Sequence, residues 1–371
     1  MKVCFDIQPA LAQRAGVGRY TRELAKRLIA QRGDDELQLF CFDFRGQTQH
    51  LPELMPFVTP FRMVPGRVVS ASWRFLGWPP FDSMAGTSDV YHFPNFVIPP
   101  LRKGRAVVTI HDLSFMRFPE CAEPANLRNL AGSIHDTVKR AHAIITDSAF
   151  CADEIANLLR VDRSRVHPIP LGVDESFVPV PAEKADPILR RLGVTRPYLL
   201  TVGTIEPRKN IPFLVEIFES LRDFDGNLVI AGMAGWKYEP ILARMRSSPR
   251  AGSILWLEYA SDADLPALYS GASAFITASF YEGFGLPPLE AMACGTPVIS
   301  SAGGSLAEIA GPGAALMNDF SLEAWTGELR SILQDSDRRR SLVERGLNHA
   351  RSFSWDETAR LTWRVYREAA A

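Results

Sequence analysis

The sequence predicts an α/β protein built of two doubly wound parallel sheets, and three observations carry that expectation. Short apolar, β-branched runs alternate with helix-length segments along the chain, the pattern of strand, crossover helix and parallel strand. The series occurs twice, on either side of a proline-bearing stretch from Phe177 to Pro187. With 371 residues there is chain enough for two domains of ordinary size.

In the first series, Val3–Ile7 is a strand, followed by a loop ending Ala15-Gly16-Val17-Gly18 and a helix through Ala30 with Tyr20, Leu24 and Leu28 on one face. The glycines do not continue as G-x-G-x-x-G, because Thr21 stands three beyond Gly18, so a nicotinamide-dehydrogenase reading is weak. Leu37–Phe42 and Asp89–Phe93 are the next strands. Ala106–Ile110 is another, and it delivers His111 and Asp112 at its carboxyl end, where open parallel sheets gather ligands. His111 serves either as a structural donor to a loop carbonyl or as a site histidine, with Asp112 orienting it or ordering the loop. Ala125–His142 reads as a helix, Ala143–Thr146 as a strand, and Asp147-Ser148 opens a helix toward Leu159. Val166 to Asp174 closes the series.

The second series opens with the strand Tyr198–Val202 and a loop from Gly203 to Asn210 that carries Arg208 and Lys209 just before a helix. That helix shows Phe213, Leu214, Ile217, Phe218 and Leu221 on one face. Leu228–Ala231 is the next strand, and Ile254–Ala260 precedes a helix around Leu265 to Tyr269. Asp223 with Asp225 and Asp262 with Asp264 read as turn and cap acids, and no metal site is expected. The carboxyl-terminal helix has Ser354 and Glu357 in capping-box spacing, with Trp355, Ala359, Trp363 and Tyr366 on one face.

The most informative stretch lies between the strands Ala274–Thr277 and Thr296–Ile299. After Glu282 come Gly283, Phe284, Gly285 and Leu286, then Pro287 and Pro288 where a helix starts, since its first amides have no intrahelical partner. The helix runs through Leu289–Cys294, places Glu290 in its first turn and stops at Gly295. A glycine loop feeding a helix N-terminus aims free amides outward and suits an anion. Two carboxylates bracket it, and carboxylates accept hydrogen bonds from sugar hydroxyls. The order suits a ribose and a sugar joined by a diphosphate.

This segment, EGFGLPPLEAMACGTPVI, closely resembles the signature of the retaining group 1 glycosyltransferases, also called family 4, which have the GT-B fold of two Rossmann-like domains facing across a cleft. The resemblance runs almost end to end. It implies that Glu290 holds the ribose of a nucleotide sugar and Glu282 contacts the transferred sugar. Backbone at Gly283, Phe284, Gly285 and Leu286 would meet sugar or phosphate oxygens. Arg208 and Lys209 would bind the diphosphate beside Gly203, His111 would lie near the transferred sugar, and the loop at Gly16 and Gly18 would face the donor phosphates and the acceptor. The chain near Tyr259 and Ala260 would read the base. Residues 1–176 with helix 355–371 would form the acceptor-side domain, and residues 177–354 the linker and donor domain. The runs TIHDLSFMRFPE and IPLGVD look most like mannosyltransferases of bacterial polysaccharide assembly, which makes GDP-mannose the first expected donor, with UDP-hexose or dTDP-rhamnose as runner-up. A glycan or lipid-linked molecule is the expected acceptor, and no cofactor is needed. A nucleotide-sugar epimerase and a non-catalytic glycan-binding protein are the competing readings.

Composition excludes other classes. Forty-one basic against 42 acidic residues give a net charge of −1 and no electrostatic case for nucleic acid. Five cysteines at 4, 41, 121, 151 and 294 lack metal spacing and fit buried reduced thiols in a cytoplasmic protein. Neither a leader nor a membrane span is expected. The segment Phe57–Phe81 shows few regular signals but carries Arg62, Arg67 and Arg74 beside Trp73, Phe75, Leu76 and Trp78. It is either a core-packed loop with a short helix, or a peripheral membrane contact at the inner face.

Overall fold

In a computed structural model that describes residues 1–12 and 16–371, the chain divides into two compact units. The first comprises Met1–Leu113, Arg128–Gly172 and Trp355–Ala371. The second comprises Ser114–Leu127 and Val173–Ser354.

The first unit holds strands β1 (Lys2–Asp6), β2 (Glu36–Phe42), β3 (Val58–Phe61), β4 (Val90–Phe93), β5 (Arg105–Thr109), β6 (Ala143–Thr146) and β7 (Val166–Pro168). They lie in the order β3-β2-β1-β4-β5-β6-β7, and every pair is parallel. Continuous burial along β4 and β6 explains why these strands read as unbroken apolar runs: both faces are covered. Strand β3 carries Pro60, a residue that demotes a strand in sequence reasoning. It is tolerated because β3 is the sheet edge, where one row of amides has no ladder partner. Phe57–Phe81 is therefore more regular than expected, an edge strand followed by the helix Gly66–Leu76.

The helix Trp355–Ala370 packs on the helix Val17–Ala30 of the first unit. Trp355, Ala359, Trp363 and Tyr366 are all buried, the Tyr366 hydroxyl lies 2.6 Å from Nδ1 of His92, and the Trp363 indole donates to the Leu28 carbonyl at 3.3 Å.

The second unit holds β8 (Tyr198–Val202), β9 (Asn227–Ala231), β10 (Ile254–Leu257), β11 (Ala274–Thr277), β12 (Val298–Ser301) and β13 (Ala315–Met317), ordered β10-β9-β8-β11-β12-β13 and again all parallel. Its core joins Phe213, Leu214, Ile217 and Phe218 to Trp325, Leu329 and Ile332. Ser114–Leu127 clusters with this unit because the Phe118 ring packs against Phe280 and Tyr281, with centroids 6.5 and 5.8 Å apart. Pro187, taken from the sequence as part of an irregular linker, sits inside the helix Ala182–Arg191, where buried Ala185 and Leu189 anchor one face. Of the segment Ile254–Ala260, residues Ile254–Leu257 form the edge strand β10.

All five cysteines are buried and none is in a disulfide. Asp264 stands at a helix N-cap position as expected, but its side chain does not cap. The carboxylate instead pairs with Arg191 at 2.5 Å and accepts from the Ser261 hydroxyl.

Candidate active site

In a doubly wound sheet the connections leave β8 and β11 toward opposite faces, and the crevice outside their carboxyl ends is where such folds take ligands. The loop after β8 supplies Glu206, Arg208 and Lys209, and the loop after β11 supplies Tyr281 and Glu282. The Arg208 guanidinium donates to Oε1 of Glu206 at 2.6 Å, Oε2 of Glu282 at 2.7 Å and the Tyr281 carbonyl at 2.6 Å. Lys209 Nζ donates to the other Glu282 oxygen at 2.6 Å. The structure thus ties together three of the residues singled out from sequence and adds Glu206, a buried carboxylate that fixes the far edge of the guanidinium.

Burial alone would raise the Glu282 carboxyl. The Arg208 charge, and then that of Lys209, overturns this and holds it down to about 2. Glu282 is therefore ionised at neutral pH, between the Arg208 and Lys209 side chains.

The Glu282 loop is fastened from beneath by Gly303-Gly304-Ser305, which follows β12 and was not picked out from the sequence. Glu282 and Gly304 form an isolated parallel bridge. Gly304 has φ of +64°, and a β-carbon there would come within 2.4 Å of the Glu282 carbonyl oxygen, so side-chain-bearing residues are excluded twice over. The Ser305 amide and hydroxyl both donate to the Glu282 carbonyl at 2.9 Å, and the hydroxyl also reaches the Phe284 carbonyl at 3.0 Å. A Gly-Gly pair at the carboxyl end of a strand was the available signal.

Gly285, at φ of +115°, is the N-cap of the helix Leu286–Ala293, with Pro287 and Pro288 just inside. The helix thus begins earlier than Leu289, and Glu290 lies beyond its first turn, a correction to the expectation of a first-turn acid. Glu290 is buried and accepts a hydrogen bond from the Tyr269 hydroxyl at 2.8 Å. Phe284 turns inward against Phe353, leaving Gly283 and Gly285 to carry the backbone past the crevice. Gly203, at φ of +150°, lies against the Lys209 stem. Tyr259 is exposed in the loop beyond edge strand β10, away from the ion-paired cluster in sheet order.

In the first unit the order of connections reverses between β1 and β4. His111, after β5, reaches this lip: Nε2 lies 3.0 Å from the carbonyl oxygen of Pro94, which follows β4, and Nδ1 lies 2.8 Å from Oδ2 of Asp147. A carbonyl only accepts, so Nε2 carries a proton. Nδ1 faces the Asp147 carboxyl, whose own pKa burial raises. Burial works against the charged ring, but the Asp147 charge and hydrogen bond outweigh it and raise the His111 pKa, with a smaller through-space contribution from Asp112. The orienting carboxylate is Asp147, from the end of the neighbouring strand, rather than Asp112, and the contact to a loop carbonyl is also present. Gly16, at φ of +58°, is the N-cap of the helix Val17–Ala30, and Gly18 lies buried inside that helix rather than in the loop. Ala15 lies outside the described residues.

Among the described residues no group of three or more His, Cys, Asp or Glu side chains is placed to hold a metal ion, and no helix is long and apolar enough to cross a membrane.

Comparison with known proteins identifies the family and the fold. Residues 189–349 match the family "Glycosyl transferases group 1", and residues 14–177 match "Glycosyltransferase Family 4". The O-antigen chain mannosyltransferase B of Escherichia coli is 31% identical over 99% of this chain and 100% of its own length. A D-inositol 3-phosphate glycosyltransferase of Salinispora arenicola is 26% identical over 98% of this chain and 89% of its own. Among solved structures, the sucrose-phosphate synthase of Thermosynechococcus elongatus matches with a TM-score of 0.74 at 19% identity, covering 99% of this chain and 98% of its own. HepE of Anabaena, in complex with UDP-glucose, matches with a TM-score of 0.72 at 15% identity over 99% of each chain. At these identities the solved structures speak to the fold alone.

Proposed function

The chain belongs to the group 1 glycosyltransferases and has their GT-B fold, and from that premise we propose that it transfers mannose from GDP-mannose, with retention, to a glycan or lipid-linked acceptor in surface polysaccharide assembly. The full-length likeness to an O-antigen mannosyltransferase supports the sugar. The observation that carries the chemistry is the Arg208–Glu282–Lys209 cluster at the strand switch point, with Glu282 in the loop that leads into the helix Leu286–Ala293.

The reaction breaks the bond between the anomeric carbon and a diphosphate oxygen, and charge grows on the departing diphosphate. Arg208 and Lys209, fixed in advance, stabilise that charge without reorganising, which is where preorganised cations are most effective. The dipole of the helix Leu286–Ala293 adds to the positive field. Glu290, held by Tyr269, accepts from the ribose hydroxyls, and Glu282 accepts from the transferred sugar. The acceptor hydroxyl oxygen forms its bond to the anomeric carbon on the face the diphosphate leaves, and its proton passes to the departing diphosphate oxygen. No protein nucleophile takes part.

The test is a transfer and donor-hydrolysis screen over GDP- and UDP-sugars, run before and after chelator treatment. Turnover of GDP-mannose that survives the chelator is expected. Preference for a UDP-sugar would replace the donor, conversion of donor without acceptor into an epimer would make the protein an epimerase, and rescue by manganese or magnesium would overturn the metal-free account.

A further inference from the structure

The helix Gly66–Leu76 has two apolar faces, and the fold uses only one. Val69 is buried, and Trp73 packs against Phe42 and Phe81 with ring centroids 5.7 and 6.2 Å away while its indole donates to the Pro79 carbonyl. Gly66 permits that seat, since a β-carbon there would come within 2.9 Å of Phe42. At 100° per residue, Val68, Ala71 and Phe75 fall within about 60° of one another on a different face. That face is open: Phe75 is 80% exposed and Val68 57%, with Leu76 at 75%, Met63 at 81% just before the helix and Trp78 at 60% just after it.

Charge accompanies the apolar surface. From Leu54 to Phe81 the chain contains no Asp or Glu, although the whole protein is slightly acidic. Arg62 is taken up by Asp43 at 3.4 Å. Arg67 and Arg74, seven residues apart and so in line along the flank of the open face, form no ion pair among the described residues; Arg74 donates to the Asn129 side chain. Exposed aromatic and aliphatic side chains flanked by arginines that have no acidic partner among the described residues match an anionic lipid surface, where rings settle at headgroup depth and arginines meet phosphate. A second copy docked through the same face would bring the same arginines and no acid, so like charge would meet like across a two-fold axis.

We propose that this face docks the protein peripherally on an anionic bilayer. That docking presents a lipid-linked acceptor rests on the transferase reading above; the docking itself does not. The test is co-sedimentation of the full chain with vesicles of phosphatidylcholine alone and of phosphatidylcholine with phosphatidylglycerol, at low and high salt. Binding to the anionic vesicles, weakened by salt, is expected. Arg67→Glu with Arg74→Glu should lower it by about tenfold or more, and Phe75→Ser with Leu76→Ser should abolish it, with far-ultraviolet circular dichroism and nucleotide binding unchanged as the check on folding. Absence of binding by the parent protein, or equal binding by both variants, overturns the proposal. So does a concentration-dependent dimer that Phe75→Ser with Leu76→Ser dissolves, which would assign the face to a second copy. Loss of transfer to a soluble acceptor in the parent protein would count against the transferase reading and leave docking standing.

Discussion

Replacing Glu282 by Gln removes the one negative charge shared by Arg208 and Lys209 while keeping the side chain's shape. The carboxyl is held at about 2 against an ordinary glutamate value of 4.5. At roughly 1.4 kcal/mol per pH unit, that gap corresponds to about 3 kcal/mol of stability at neutral pH. The side chain is only 12% exposed, so little of this is lost to solvent screening. Because the folded value lies below the unfolded one, the contribution is complete above pH 4.5 and drains away as pH falls toward 2. Urea unfolding of parent and Glu282→Gln, followed through the transition of the second unit, should therefore differ by about 3 kcal/mol at pH 7. The difference should narrow between pH 4.5 and the acid limit of the measurement. Inorganic pyrophosphate should raise the stability of the variant more than that of the parent, since the variant leaves Lys209 without its anion. A difference under about 1 kcal/mol at pH 7, or one that stays constant on acidification, would refute the idea that this cluster is preassembled.

Arg208→Ala should cost roughly 2.7–4 kcal/mol of transition-state stabilisation, about a hundredfold or more in turnover, and a loss under about threefold in steady-state kinetics would return Arg208 to a structural role. Tyr269→Phe removes the hydrogen bond that positions Glu290 and should weaken nucleotide-sugar affinity by about fivefold, or about 1 kcal/mol, with little change in turnover; calorimetry of donor binding reads this directly. Asp147→Asn should lower the His111 pKa, measured by histidine NMR titration. Since the folded value in the parent is raised, the pair's stabilisation is complete below pH 6.5 and lost as pH rises through the folded value, so the stability gap between parent and Asp147→Asn should shrink on the alkaline side.

Local chemistry was legible in the sequence where one segment contains all of it. The EGFGLPPLE stretch encodes its own turn, helix start and pair of carboxylates, and the buried strands announce themselves by unbroken apolar runs. What the sequence hid was pairing across distance. Glu282 stands 74 residues from Arg208, and Asp147 stands 36 from His111, so no spacing rule brings either pair together; the order of strands does. Proline misled at Pro187, which composition groups with a linker. Pro60 is admitted by an edge strand, and Pro187 by a helix held through Ala185 and Leu189. Phe57–Phe81 could not be resolved between core and surface from composition, because its helix has an apolar face of each kind.

The electrostatics of the two conspicuous site residues bear on which proton transfers are open to the enzyme. A general base works best when its pKa lies near the working pH. Glu282, held at about 2, binds a proton too weakly to take one from an acceptor hydroxyl, and being ionised it has none to donate. His111 has both ring nitrogens engaged, Nε2 donating to the Pro94 carbonyl and Nδ1 paired with Asp147, and so has no nitrogen to offer an acceptor hydroxyl while those contacts last. Both are suited to fixed roles, Glu282 as the partner of Arg208 and Lys209 and His111 as a strut at the end of β5. The proposed same-face transfer asks no base of the protein, because the proton of the incoming hydroxyl goes to the departing diphosphate oxygen. The diphosphate is the one participant whose basicity rises as the bond breaks, and the cations that hold it determine how far. Replacing Arg208 should therefore impair the proton's destination together with bond cleavage, so that the loss of turnover is not recovered by raising the pH of the assay.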